Sequence, residues 1–354
     1  MNPALTVIIA LLVFGFLIFI HEFGHYITAR IFKVTINEFS IGMGPSLVTY
    51  ESKKTKIKYK LAMFPIGGYV AMAGELEESD DPNSFDKKPA WQRFIITAAG
   101  AFVNIVAGFL AMLLLVGIID IGGTRVGVFR SDEELAEMGV TDPAPTSEGR
   151  LMVDDLITHV GGKRVLIAEE LSYEIMRQGN EPVTLTVIRG GEEIILEDVV
   201  FPTASDAGQV LGVMDFRVYK IEKGFGNFFS IAVRRSVFVM RTCWESIFDL
   251  ITGRYTLAAV SGPVGISGAI GNAAKDGFAS LLNITILISM NLGFMNLLPI
   301  PALDGGRLLT LLIEMITRKR LPAKVEGIIN AVGLILLLGL SLVIMVKDVI
   351  GLVL

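Results

Sequence analysis

Ile18-Phe19-Ile20-His21-Glu22-Phe23-Gly24-His25-Tyr26-Ile27 is the stretch that decides how this chain folds. It ends a run, residues 4–20, made almost entirely of Leu, Ile, Val and Phe, and the apolar pattern continues beyond it through Ile31 and Phe32. Residues four apart share a face of a helix, so His21 and His25 project side by side. That spacing lets two imidazoles grip one tetrahedral zinc, with Glu22 placed to act as general base on a water. A charged residue inside a membrane span costs about 2.5–3.5 kcal/mol and normally marks function. The plainer alternative is a helix end whose polar residues meet lipid headgroups.

The composition fits a membrane protein. Of 354 residues, 52% are hydrophobic and 19% charged, with a mean hydropathy of +0.60. A net charge of −5 gives no sign of a nucleic-acid partner. The single cysteine, Cys243, excludes an internal disulfide and a cysteine-built zinc site. The N-terminus has no basic segment and no small-residue cleavage site, so it does not read as a signal peptide.

Four stretches, residues 4–27, 94–119, 278–298 and 328–346, are long and apolar enough to cross about 30 Å of hydrocarbon. Ten Lys and Arg, from Arg30 to Arg93, flank or lie between the first two, and five, from Arg307 to Lys324, lie between the last two. The positive-inside rule puts both segments on the cytoplasmic face and both termini outside. Residues 55–63 alternate, with Ile57, Tyr59, Leu61 and Met63 on one face and Lys56, Lys58 and Lys60 on the other. With strands at 35–41 and 68–73 they predict a small sheet lying against the membrane. An edge of that sheet, with Gly67 and Gly68 as candidate contacts, offers strand addition to an extended substrate. A purely structural lid is the other reading.

The span at 94–119 is rich in small residues, which allow close helix packing. Asn104 inside it suits either an interhelical hydrogen bond or a role at the active site. Residues 123–202 predict a separate α+β domain with a hairpin at 183–199, a strand at 151–160 and a helix at 168–178. This suits a PDZ-like peptide-binding module. His159 reads as a surface residue. Residues 225–251 predict an amphipathic interfacial helix interrupted by Arg234, Arg235 and Arg241.

After the third span, the 296–307 stretch runs NLLPIPALDGGR. Asp304 there serves either as an N-cap or as a third metal ligand. The first and third spans run in the same direction, so His21 and Asp304 fall near the same leaflet. Two histidines and one carboxylate leave a fourth position open, as catalytic zinc sites do. Asn296 stands where it could hydrogen-bond an oxyanion or a substrate backbone.

Further motifs accompany these in order: Ala29-Arg30, FSIGMGP at 39–45, FPIGGYV at 64–70, MAGE at 72–75, Gly100 with Asn104, and SGPVGI at 261–266. Together they make the chain resemble the site-2 protease family of intramembrane zinc metalloproteases, in its bacterial RseP-like branch. The resemblance implies His21, His25 and Asp304 as ligands to one Zn2+ and Glu22 as catalytic base. It also implies a membrane-associated β-hairpin, and Asn104 and Asn296 near the substrate. The expected fold is a multi-pass α-helical membrane protein. Its predicted parts are a first transmembrane helix (1–32), a cytoplasmic β-sheet region (33–90), a second helix (91–120), an extracytoplasmic PDZ-like domain (121–203), a linker with the interfacial helix (204–277), and the last two spans (278–354).

The expected partners are single-pass membrane-protein substrates, such as anti-sigma factors or signal-peptide-like chains, and membrane lipids, with no nucleic acid. The expected location is a bacterial inner membrane with the active site near the cytoplasm. In the PDZ-like domain, the family's usual Gly-Leu-x-x-Gly-Asp appears as Arg150-Leu151-Met152-Val153-Asp154-Asp155, so a size filter stands beside peptide contact as its role. A non-catalytic scaffold stabilised by zinc, with a peptide-binding PDZ domain, is the rival to a protease; Glu22 argues against it, since a structural site needs no base.

Overall fold

The computed structural model describes residues 2–75, 77, 79–140, 147–206, 209–254 and 260–353. The chain divides into two compact units, Met1–Leu115 with Ser230–Leu354, and Val116–Phe229.

The first unit is mostly helical. Helix α1 (Pro3–Ile31) opens where the Asn2 side chain accepts from Ala4 N and Pro3 takes the first turn, a position where its missing N–H costs nothing. Strands β1 (Ile36–Glu51) and β2 (Lys58–Met72) follow, then a 3-10 turn (Phe85–Lys87) and α2 (Ala90–Ile118). Their pairing doubles back. Residues 38–41 of β1 pair with 68–71 on one side and with 58–61 on the other, and 46–51 also pair with 58–62. The three strand segments expected from the sequence are therefore halves of two long strands. Gly44 and Gly67 lie inside the strands, where positive φ (91° and 78°) absorbs the register shifts.

The second unit contains β3 (Gly122–Phe129), α3 (Asp132–Glu137), β4 (Leu156–Val160), β5 (Lys163–Arg164), α4 (Ala168–Gln178), β6 (Val183–Arg189), β7 (Glu192–Val199), β8 (Thr203–Asp206), β9 (Gln209–Gly212) and β10 (Phe216–Lys220). Its main sheet runs β10-β3-β4-β6-β7, with β5 on β4. Val126, Ile157, Leu171, Leu185, Val187 and Phe216 form its core. The hairpin and the helix follow the sequence pattern. The expected strand at 151–160 is shorter, because Asp155 turns the chain: its Oδ2 accepts from Met152 N at 2.9 Å, and Arg189 donates to both carboxylate oxygens at 2.7 and 2.8 Å. The sheet also extends past residue 203, since β10 pairs with β3.

The chain then forms α5 (Phe225–Ile251), α6 (Pro263–Asp276), α7 (Phe278–Leu297), α8 (Asp304–Thr317) and α9 (Ala323–Val353). Helix α6 is not legible in sequence, because three glycines among its 14 residues lower its helix propensity. In place it packs on α1 and α7, where small residues allow close approach. Four helices among the described residues are long and apolar enough to cross a membrane: Ala4–Ile31, Ala90–Ile118, Phe278–Leu297 and Lys324–Gly351. They match the four stretches read from the sequence, with the second and third each ending one residue earlier. Ile335, Leu336 and Leu338 on α9 are all more than 60% exposed, which suits a lipid-facing surface and not a watery one.

Candidate metal centre

Close contact of α1 with α2 builds the site. The small residues of α2 are what permit it: a Cβ at Gly100 would lie 2.3 Å from His25 Nε2 and 2.9 Å from His21 Nε2. The i, i+4 spacing on α1 brings the two imidazole nitrogens to 3.3 Å from each other. Asp304 comes from the first turn of α8. It does not cap that helix, because the N-cap is Leu303 and no side chain accepts there. Instead Asp304 Oδ2 stands 3.1 Å from His21 Nε2 and 3.4 Å from His25 Nε2.

These three atoms form a nearly equilateral triangle and meet the test of a metal site. Ligand atoms about 2.0–2.1 Å from a tetrahedral zinc stand about 3.3 Å apart; the observed edges are 3.1, 3.3 and 3.4 Å. Among the described residues, these three make a cluster whose ligand atoms all lie within 4.8 Å. Asp304 Oδ2 is buried and has no hydrogen bond of good geometry, an orphan that a cation would satisfy. Burial disfavours the Asp304 charge, but the close approach of His21 and His25 outweighs it and holds the carboxyl well below the usual carboxylate range. The outer contacts agree. His25 Nδ1 donates to the Ile96 carbonyl at 2.8 Å, which leaves Nε2 as the nitrogen free to bind.

A cavity of about 430 Å³ opens beside the triangle, lined by His21, Glu22, His25, the 68–72 segment of β2, Glu75, Thr97, Asp304 and Arg307. Gly68 lets β2 pass over the base, since a Cβ there would meet Glu22 Cγ at 3.0 Å and Ser40 O at 2.9 Å. The other expected residues are more scattered. Gly67 bends β2 against Met43. Asn296 is half-buried in the last turn of α7 and is not among the residues lining this cavity. Asn104 is wholly buried, and its Nδ2 lies 3.3 Å from His21 Nδ1. His159, in the second unit, lies 3.0 Å from Thr158 Oγ1.

Sequence reasoning missed the clamp at one end of the cavity. Arg307, counted only as a positive charge, donates to Glu75 Oε1 at 2.6 Å and to the Glu75 carbonyl at 3.0 Å, and stacks 4.5 Å over the Phe85 ring. Its position three residues after Asp304, on the same helical face, was the available signal.

Apolar spans around a buried His-His-Asp triangle, with a glutamate on its rim, define a membrane protein of metallopeptidase character. The profile of peptidase family M50 matches residues 9–340. The chain is 35% identical to a Fusobacterium nucleatum protein over 98% of each chain, and 34% identical to one from Clostridium perfringens over 97% of this chain and 98% of the relative. It is also 27% identical to the zinc metalloprotease RasP of Oceanobacillus iheyensis, over 97% and 98% of the two chains. The chain belongs to peptidase family M50.

Proposed function

We propose that this chain is a zinc metalloprotease that cuts single-span membrane proteins within or near their transmembrane helix. The observation that carries the reading is the triangle of His21, His25 and Asp304 ligand atoms, at zinc-like separations, with Glu22 on the wall of the same cavity. The relatives bearing zinc-metalloprotease names support the metal and the reaction class.

His21, His25 and Asp304 would hold the ion; when bound, zinc supplies Lewis acidity toward the attacking water and the scissile carbonyl. Glu22 takes the proton from that water and delivers it to the leaving amine. A transmembrane helix hides its amides in internal hydrogen bonds, so the substrate must locally unwind. The 68–72 segment is the proposed receiver. It lines the cavity and pairs with β1 on one side, so an extended substrate adds to its other edge. Asn296 is proposed to contact that substrate where it leaves the cavity.

The bacterial sources of the relatives support a bacterial inner membrane, and the charge pattern supports a cytoplasmic β1–β2 sheet with residues 121–203 extracytoplasmic. The Val116–Phe229 unit is proposed to be PDZ-like: β10 ends the sheet order and presents an edge for a peptide.

The test uses purified protein, a zinc assay and a model single-span substrate. The parent should carry about one zinc per chain, by the ligand count. Glu22→Gln should keep that zinc and lose cutting by at least about 10²–10⁴-fold, while Asp304→Ala should lose zinc. Full activity in Glu22→Gln would sink the proposal.

A further inference from the structure

Asn104 carries an unsatisfied atom beside a proposed metal ligand. The residue is wholly buried in α2, one turn beyond Gly100, where that helix lies against the histidine pair. Its backbone is pinned from the opposite side, because Ser289 Oγ on α7 donates to the Asn104 carbonyl at 2.9 Å. Its side-chain Nδ2 points at His21 Nδ1 from 3.3 Å, while its Oδ1 is buried with no hydrogen-bond partner. An unpaired buried amide oxygen costs about 1–3 kcal/mol.

This arrangement bears on how His21 can serve. The nitrogen of His21 facing Asp304 and His25 is Nε2. For Nε2 to offer its lone pair to a cation, the neutral ring must carry its proton on Nδ1. That N–H then needs an acceptor, and an amide NH2 is not one. The two ends of a carboxamide have nearly the same shape, so a half-turn about the Cβ–Cγ bond needs no new space and brings the orphan Oδ1 to Nδ1. The Ile96 carbonyl already does this for His25, accepting from Nδ1 at 2.8 Å.

We infer that Asn104 is a positioning residue for His21: with the metal held, its side-chain oxygen accepts from His21 Nδ1–H and fixes the tautomer that leaves Nε2 free to bind. The inference rests on the zinc reading above. It assigns Asn104 to the metal's outer shell, away from the substrate. Partners of this kind hold the ring's orientation and raise its basicity, and their loss typically weakens metal binding by about 10–100-fold.

Two measurements test it. In chelator competition, Asn104→Leu, close in volume but without an acceptor, should bind zinc about 10–100-fold more weakly than the parent. Asn104→Asp, which keeps an acceptor at the same place, should stay within a few-fold of the parent. A purely structural role would not be rescued in this way, and a substrate-contact role would raise KM with zinc affinity unchanged. Independently, nitrogen NMR of histidine-labelled, zinc-loaded parent should show His21 protonated at Nδ1 and metal-bound through Nε2. Only three histidines contribute signals, and the parent measurement decides the matter even if the leucine variant fails to fold. Parental zinc affinity in Asn104→Leu, or a zinc-loaded His21 bound through Nδ1, overturns the inference and leaves the protease proposal standing. A parent that takes up no zinc overturns both.

Discussion

At the scale of single residues, the site depends on what is missing as much as on what is present. Gly100 faces both imidazoles, and a methyl there would stand 2.3 Å from His25 Nε2. The neighbour is the His25 ring, fixed by its bond to the Ile96 carbonyl, so it cannot give way cheaply. Gly100→Ala should therefore lower zinc content well below one per chain and reduce the thermal unfolding temperature; an unchanged zinc content would show that α1 and α2 can separate without harm. Overpacking of this kind typically costs about 1–3 kcal/mol. The His21 and His25 pair was legible in sequence because helical periodicity alone puts them on one face. Asp304 was only half legible: its neighbours PALDGG marked a helix start, but a helix start needs a cap as readily as a metal needs a ligand. The structure removes the cap role by giving that position to Leu303, and the ligand role stands as the proposal. The partner of Asn104 was not legible, since it depends on the rotation of α2 against α1, which no local pattern encodes.

Among elements, Arg307 ties α8 to the segment after β2. It bonds Glu75 twice, lies over Phe85, and has Glu326 of α9 at 3.8 Å. Both partners of the Glu75 pair keep 21% of their side-chain surface exposed, so solvent screens part of its strength. A hydrogen-bonded charge pair in that setting is worth about 1–2 kcal/mol. Arg307→Ala should leave zinc in place, since Asp304 sits in the first turn of a 14-residue helix. It should loosen the segment carrying Glu75, seen as faster limited proteolysis at residues 73–85 and slower substrate cutting. Arg307→Lys should restore only part of this, because an ammonium cannot reproduce the forked contact. Resistance equal to the parent would assign the hairpin's placement to β1–β2 pairing alone. The alternation at 55–63 revealed that a sheet was present. It did not reveal how 36–51 and 58–72 fold back on each other, because glycines with positive φ let a strand bend without the usual turn residues.

For the whole molecule, the spans were the most legible feature, because bilayer thickness sets both length and composition. Sidedness is a matter of charge. Ten Lys and Arg flank or separate the first two spans and five lie between the last two, and each is worth about 1 kcal/mol near an anionic leaflet. Together they are expected to outweigh any single local preference, and the proposed sidedness puts both segments at the cytoplasmic face. The Val116–Phe229 unit is too long for its own charges to count in this balance. In the proposed topology residue 192 lies outside and residue 54 inside. The single native cysteine makes this directly measurable. In a Cys243→Ser background, Lys54→Cys lies in the exposed turn between β1 and β2, and Glu192→Cys in the exposed tip of the β6–β7 hairpin. A membrane-impermeant maleimide added to intact cells should label the variant at 192 and spare the one at 54 until the membrane is opened. Labelling in the reverse order would turn the protein over, put the Glu22 cavity at the outer leaflet, and remove the basis for expecting cytoplasmic-side cutting; labelling of both would mean that α2 does not cross the membrane between the two sites.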